Sequence, residues 1–440
     1  MIDGIQNVFK IPELKKRLLY TFGLLAVYRV GAFIPTPGID SQALARYFES
    51  MRGTILGFFN MFSGGALEQM AVFALGIMPY ISASIILELL TVVVPYLEKL
   101  KKEGEQGRKK INQYTRYGTV VLSMIQGLGI AIGLEHMEVP GGSAMIVLEP
   151  GWNFRLMTML TLTAGTTFIM WLGEQITERG VGNGISLIIF AGIVAGMPVA
   201  IGHTWTQLRL GEMSPFLFLG LLGLMAAVVA AIVFMEAGHR RIPIQYAKRV
   251  VGRRMYGGQS THLPLKINTS GVIPPIFASS IMVFPATIAQ FMGGQNPGGI
   301  LETIVQQLSP GTILYAVLTV LMIIFFAYFY TAIIFNPSDV ADNMRKYGGF
   351  IPGIRPGKKT AEYIDRTLSR LTFAGALYLS FIVILPTYLV QFFHVPFYFG
   401  GTGLLIVVGV AMDTMQQVES HLVMRNYESF IKKGRLKGRR

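Results

Sequence analysis

The side chains of this sequence that could do ionic or catalytic chemistry are few and poorly grouped. Two ionisable residues, Arg29 and Glu88, stand inside long apolar runs. A charge in such a place marks an ion path, a proton relay or a substrate contact. Arg29 lies about two-thirds along its run and either works inside the protein or snorkels outward along its own stem. Glu88 lies near the end of the next run, close enough to hydrate. The six histidines (His136, His203, His239, His262, His394 and His421) are scattered near the ends of apolar runs. Cysteine is absent, which excludes a disulfide framework, a thiolate metal site and a cysteine nucleophile. No HExxH, Walker sequence or dinucleotide fingerprint occurs. The expectation is a chain with no catalytic residue, no metal site and no cofactor, and so not an enzyme.

The elements that must position these residues are apolar helices. The chain has 440 residues, 52% of them hydrophobic and 14% charged, with a mean hydropathy of +0.51. Soluble domains carry roughly 25% charged residues. Too little polar side chain is present to cover a water-facing surface, which excludes an ordinary cytosolic enzyme, a disordered chain and a simple nucleic-acid-binding domain. A crossing helix needs about 20 apolar residues. Ten runs qualify: 18–36, 75–95, 117–137, 154–173, 184–202, 215–236, 271–292, 312–335, 371–392 and 398–417. They are continuous rather than alternating, unlike membrane strands. The predicted fold is an all-α integral membrane protein, one polytopic domain over 1–440 with ten transmembrane helices. Residues 1–17 carry Ile2, Ile5, Val8 and Phe9 at helical spacing. They are either an amphipathic helix on the membrane surface or a lead-in to the first run. No small-residue cleavage site follows, so they do not read as a cleavable signal peptide.

Charge orients the chain. Nearly all of the 38 Lys and Arg residues fall in the N-terminal segment, in connections 96–116, 174–183, 237–270 and 336–370, and in the tail 418–440. Only Arg46, Arg52, Arg155 and Arg209 fall on the opposite side. The positive-inside rule then puts both termini in the cytoplasm. It also accounts for most of the net charge of +14 without nucleic acid. Ten spans divide into an N-terminal half, 18–202, and a C-terminal half, 215–417. An odd number of spans in each half predicts two halves of inverted orientation. The external segment 37–74 contains Thr54–Gly65, apolar but too short to cross, which is either a re-entrant helix or an interfacial one. Loops 237–270 and 336–370 far exceed the roughly 15 residues at which loops become functional or disordered. Their basic surface suits an acidic partner, RNA or anionic lipid. Pro79, Pro198, Pro274, Pro275, Pro285 and Pro386, with glycines such as Gly127 and Gly409, fit either a bundle that opens or a close-packed static one.

Six segments carry a resemblance: GIMPYISASII (Gly76–Ile86), KKEGEQGRKKINQYTRYGT (Lys101–Thr119), ITERGVGNGIS (Ile176–Ser186), GVIPPIFASSI (Gly271–Ile281), FNPSDVADNMRKYGGFIPGIRPG (Phe335–Gly357) and PFYFGGTGLLIVV (Pro396–Val408). In this order they closely resemble the bacterial SecY family, the channel-forming subunits of the Sec protein translocon. The resemblance covers essentially the whole chain. It implies a clamshell of two five-helix halves around an hourglass pore. It further implies a pore ring at Ile77, Ile81, Ile185, Ile189, Ile276 and Ile406. Ile77 with Ile81, and Ile185 with Ile189, are i,i+4 pairs that present one helical face. Aliphatic rings exclude water and ions by dewetting and offer no fixed hydrogen bonds to a sliding polypeptide. Without the resemblance these isoleucines would read as lipid- or core-facing.

By the same resemblance Thr54–Gly65 becomes part of a plug, whose implied residues are Phe58, Phe59, Asn60, Met61, Phe62, Ser63, Gly64 and Gly65. A lateral gate is implied around Ser82, Ile86, Phe284 and Thr287, with Gln126 nearby. Glu88 departs from the uncharged polar residue associated with the family. Docking residues for the motor ATPase SecA and for the ribosome, with possible rRNA contact, are implied at Arg240, Arg241, Arg253, Arg254, Arg355 and Tyr427. The implied partners are SecE and SecG in a heterotrimer, SecA, the ribosome, signal peptides, unfolded precursor polypeptides and membrane lipid. The implied function is passive translocation of unfolded secretory polypeptides across the plasma (inner) membrane, with lateral release of membrane helices. A secondary transporter would share the five-plus-five order but should carry polar ligands at the midplane. An intramembrane enzyme would need a nucleophile–base or metal constellation.

Overall fold

The computed structural model describes residues 11–40, 43–44, 60, 63–135, 146–211, 214–246, 249–251, 254–256, 260–292, 307–308, 311–393 and 401–435. Ten of its helices lie on the ten apolar runs. They are α1 (Pro12–Gly31), α2 (Met78–Val93), α4 (Glu105–Glu135), α5 (Trp152–Arg179), α6 (Gly184–Leu210), α7 (Pro215–Ala237), α8 (Ile273–Met292), α9 (Ile313–Ile334), α11 (Lys358–Phe393) and α12 (Gly401–Arg435). Two short charged helices, α3 (Pro95–Lys102) and α10 (Pro337–Lys346), lie among the basic segments. Helices α4, α5, α6, α7, α9 and α11 are each long and apolar enough to cross a membrane, and the pair α2–α3 offers a seventh crossing. The remaining three fall short by this measure or are only partly described. In α1, Lys15, Lys16, Arg17 and Arg29 interrupt the apolar stretch. In α12, Asp413, Gln416 and Gln417 shorten it.

The bend between α2 and α3 is 99°. Its cause is local. Pro95 opens α3, and a proline pushes the preceding residue out of the helical region. Val94 accordingly sits at φ −97°, ψ 112°.

The elements from α1 to α6 form one group and those from α7 to α12 another. Within the first group, α4 packs on α2 and α5, and α1 packs on α5 and α6. Within the second, α9 packs on α8 and α11, and α12 packs on α7 and α11. Among the described residues, the groups meet chiefly where α8 packs on α2 and α4 and where α12 packs on α6. Where α6 starts against α5, a side chain on Gly184 would collide with the Gly173 carbonyl oxygen, so glycine there permits the close approach.

The two long basic loops are not independent. Strands β1 (His239–Tyr246) and β4 (Ser260–Lys266) pair antiparallel, with Arg241 opposite Pro264. Between them β2 (Arg249–Val251) and β3 (Arg254–Tyr256) form a second hairpin. Strand β5 (Gly349–Phe350), from the other loop, adds to the free edge of β1 through Gln245 and Phe350. The resulting sheet buries Ile242, Ile244 and Leu265 against Met344, Ile351 and Ile364. Both segments therefore share one small hydrophobic core. The expected tail is also regular: the last span continues without a break as α12 to Arg435. The N-terminal residues Ile2, Ile5, Val8 and Phe9 lie outside the described residues.

Candidate functional site

Four helices from both groups deliver the six isoleucines to one place. Ile77 caps the start of α2 and Ile81 follows one turn later, its amide donating to the Ile77 carbonyl at 3.1 Å. Ile185 and Ile189 occupy the first two turns of α6. That helix begins where it does because the Asn183 side chain accepts hydrogen bonds from the Ile185 and Ser186 amides. An N-cap of this kind fixes the helix start, and with it the direction of the first side chains. Ile276 comes from the first turn of α8, and Ile406 from the second turn of α12. All six belong to one hydrophobic cluster. Five are at most 9% exposed, and Ile185 is half-buried at its edge. The six side chains are thus brought into one apolar core rather than spread over separate faces.

The surroundings are equally apolar. Phe73, Leu172, Ile176, Ile188 and Ile193 belong to the same cluster, as do Phe277 and Phe326, which meet edge to face at 5.5 Å. On α8 the hydroxyls of Ser279 and Ser280 both donate to the Ile276 carbonyl, at 3.0 and 2.8 Å. Such back-bonding satisfies buried serines and bends a helix. These two serines were not singled out from the sequence, although they stand within GVIPPIFASSI; two serines three and four residues after a helix-opening isoleucine were the available signal.

The implied gate residues divide. Ser82 and Gln126 are half-buried and Ile86 is exposed, on α2 and α4, the helices that meet α8. Phe284 and Thr287 lie on the α8 backbone, with side chains outside the described residues. Glu88 is half-buried on α2, six residues after Ser82.

Of the implied plug, Phe58, Phe59, Met61 and Phe62 lie outside the described residues. Asn60 is helical, whereas Ser63, Gly64 and Gly65 form turns. Asn60 closes these turns: its carbonyl accepts from the Gly65 amide at 2.9 Å, and its side chain joins Glu68 in two hydrogen bonds of 3.0 Å. The flanking chain is anchored by pairing of 34–36 with 70–72, including Thr36 amide to Met70 carbonyl at 2.9 Å. Arg29 does not merely snorkel. Its Nη1 donates to the Gly64 carbonyl at 2.6 Å, while its guanidinium lies 4.6 Å from the Phe33 ring centre.

Among the implied docking residues, Arg240 and Arg241 are exposed on β1 just before buried Ile242. Arg355 is exposed in a turn between Gly353 and Gly357, both at positive φ, and its carbonyl accepts from the Thr360 hydroxyl at 2.9 Å. Arg253, and the side chains of Arg254 and Tyr427, lie outside the described residues; Arg254 is on β3 and Tyr427 on α12. Among the described residues, no group of three or more His, Cys, Asp and Glu stands close enough to hold a metal ion.

The SecY family model matches residues 71–415. Protein translocase subunit SecY of Escherichia coli K12 is 57% identical over 97% of this chain and 96% of its own length. The chain belongs to the SecY family. Its function is accordingly that of a translocase subunit. Two solved structures share the fold. One is described as a protein-conducting channel, with a TM-score of 0.65 and 18% identity over 95% of this chain and 97% of that one. The other is a SecY protein whose plug domain is described as stabilizing the closed state of the translocation channel and maintaining a membrane seal. It has a TM-score of 0.63 and 19% identity over the same shares of the two chains.

Proposed function

We propose that this SecY-family chain forms a passive protein-conducting pore whose seal is the ring of Ile77, Ile81, Ile185, Ile189, Ile276 and Ile406. The observation that supports the reading is the convergence of these six side chains, from four helices on both sides of the α2–α8 and α6–α12 seams, into one apolar cluster. An aliphatic seal of this kind excludes ions when shut and binds no particular side chain when a polypeptide slides through. Its energy comes from outside the pore: from SecA, from elongation on the ribosome or from the proton-motive force. The chain itself performs no catalysis.

The segment about 54–65 serves as the plug. The α2–α8 seam, with Ser82, Ile86, Gln126, Phe284 and Thr287, is the lateral gate through which signal peptides and membrane helices reach lipid. The sheet of β1, β4 and β5, with Arg240, Arg241, Arg253, Arg254 and Arg355, docks SecA and the ribosome, and Tyr427 extends that surface along α12. Guanidinium forks suit both acidic protein surfaces and rRNA phosphates. SecE and SecG complete a heterotrimer in the bacterial inner membrane, with both termini cytoplasmic. The domain division is 18–202 and 215–417, hinged as two halves.

Site-specific photocrosslinking from position 276, with a stalled secretory precursor in membrane vesicles, tests the reading. A crosslink that appears only with engaged precursor is the expected result. Absence of a crosslink in a complex that translocates would reject the ring. Absence of both would favour a transporter of small solutes.

A further inference from the structure

Arg29 stands in the last turn of α1, and it points at the backbone of a turn. Its Nη1 donates to the Gly64 carbonyl at 2.6 Å, and the neighbouring Tyr28 hydroxyl donates to the Ser63 carbonyl at 3.3 Å. The Phe33 ring holds the guanidinium from the side at 4.6 Å, a cation–π contact that favours Arg over the more strongly hydrated Lys. On the far side the turn presses on α6. Gly64 has φ +68°, and a side chain there would come 2.9 Å from the Gly192 Cα. Gly192 lies three residues after Ile189, on the next turn of the same helix face. The turn at Ser63–Gly64 is thus gripped between two donors on α1, one cationic and one phenolic, and the backbone of the helix that carries the ring. Asn60 ties it through Glu68 into one hydrogen-bonded unit.

We infer that Arg29 is a positioning residue for the seal: it latches the Ser63–Gly64 turn against α6 in the resting channel, and the latch opens when a polypeptide enters. The inference rests on the proposed plug and pore. A charged donor suits a latch, because its hydrogen bond is strong when water is excluded and is readily exchanged for water once the turn lifts. The glycines at 64 and 192 permit the contact with α6, and the arginine holds it.

The chain contains no cysteine, so a single Ser63→Cys substitution reports on this turn alone; Ser63 is 2% exposed. The assembled complex in spheroplasts is treated with a membrane-impermeant maleimide, with and without a stalled precursor. In the Arg29 background, the thiol introduced at position 63 should label slowly at rest and faster with precursor engaged. Arg29→Gln should raise the resting rate roughly 10- to 100-fold, the range for losing one hydrogen bond to a charged group. Gly64→Ala, which forces the turn off α6 by a separate route, should do the same. Both should raise resting ion leakage while the complex still assembles. Labelling as slow in both variants as in the parent would overturn the latch and leave the plug standing. No acceleration by precursor in the parent would show a fixed structural turn and would also overturn it. Fast labelling of the parent at rest would refute the seated plug, and the latch with it.

Discussion

Replacing ring isoleucines by alanine separates sealing from folding. Ile189 is 3% exposed and Ile406 1% exposed, so each contributes nearly its whole side chain to the closed cluster. Isoleucine to alanine removes three carbons, about 0.8 kcal/mol each, or about 2.4 kcal/mol of apolar burial. In an open pore the same side chains face water or a transiting polypeptide, so most of that loss falls on the closed state. A shift of about 2.4 kcal/mol changes the open-to-closed ratio roughly 50-fold. Alanine is preferred to glycine because it keeps helix propensity, which glycine would lower by about 1 kcal/mol. The assay is resting conductance of the purified complex in planar bilayers, for Ile189→Ala and Ile406→Ala. Ile169→Ala is the control: Ile169 is fully buried in the same cluster but is not one of the six. It should lower thermal stability by a comparable 2–5 kcal/mol and leave conductance unchanged. Resting conductance unchanged from the parent in Ile189→Ala and Ile406→Ala, with the complex intact, would refute the ring. Equal leakage in all three would show that general loosening, not a ring, controls the seal.

The remaining expectations follow from other parts of the structure. Arg355→Glu, at the exposed turn before α11, should impair SecA-driven export by purified vesicles while the complex stays assembled; normal export would reject its docking role. Ile364→Ala removes a fully buried side chain from the core shared by the two basic loops and should cost about 2–5 kcal/mol locally. Faster hydrogen exchange in 239–266 as well as in 349–350 would verify the shared core, and exchange confined to one loop would disprove it. Arg155 binds Glu135 through Nε at 2.8 Å, and Glu135 also accepts from the Gly151 amide at 2.9 Å. The Glu135 side chain is 5% exposed and that of Arg155 25%. Arg155→Ala should lower the melting temperature of the complex, because it leaves the buried Glu135 carboxylate without its cationic partner. An unchanged melting temperature would show that the pair is fully screened.

Several elements were legible in the sequence because their causes are local. Ten apolar runs foretold where ten helices lie, since a backbone without water must satisfy its own hydrogen bonds. Positions Ile77/Ile81 and Ile185/Ile189 could be paired because helical spacing alone puts them on one face. The sheet was missed, although residues 241–245 alternate Arg-Ile-Pro-Ile-Gln and the burial follows that alternation. Its third strand comes from a loop about a hundred residues away, and no local pattern announces a pairing of Gln245 with Phe350.

By itself, then, the sequence determined the class of protein, the place of its ten apolar helices and, through six motifs, its family. Tertiary structure decided what those helices bring together. Nothing in the apolar pattern distinguishes Ile276 or Ile406 from dozens of similar residues; only the meeting of α2, α6, α8 and α12 makes them one cluster. Arg29 read equally as a snorkelling side chain until the fold placed the Gly64 carbonyl 2.6 Å from its guanidinium. The physical reason is the same in both cases. Apolar burial and helix formation are properties of a local stretch, whereas the clustering of the six isoleucines and the Arg29–Gly64 hydrogen bond join residues distant in the chain, which composition and periodicity do not record.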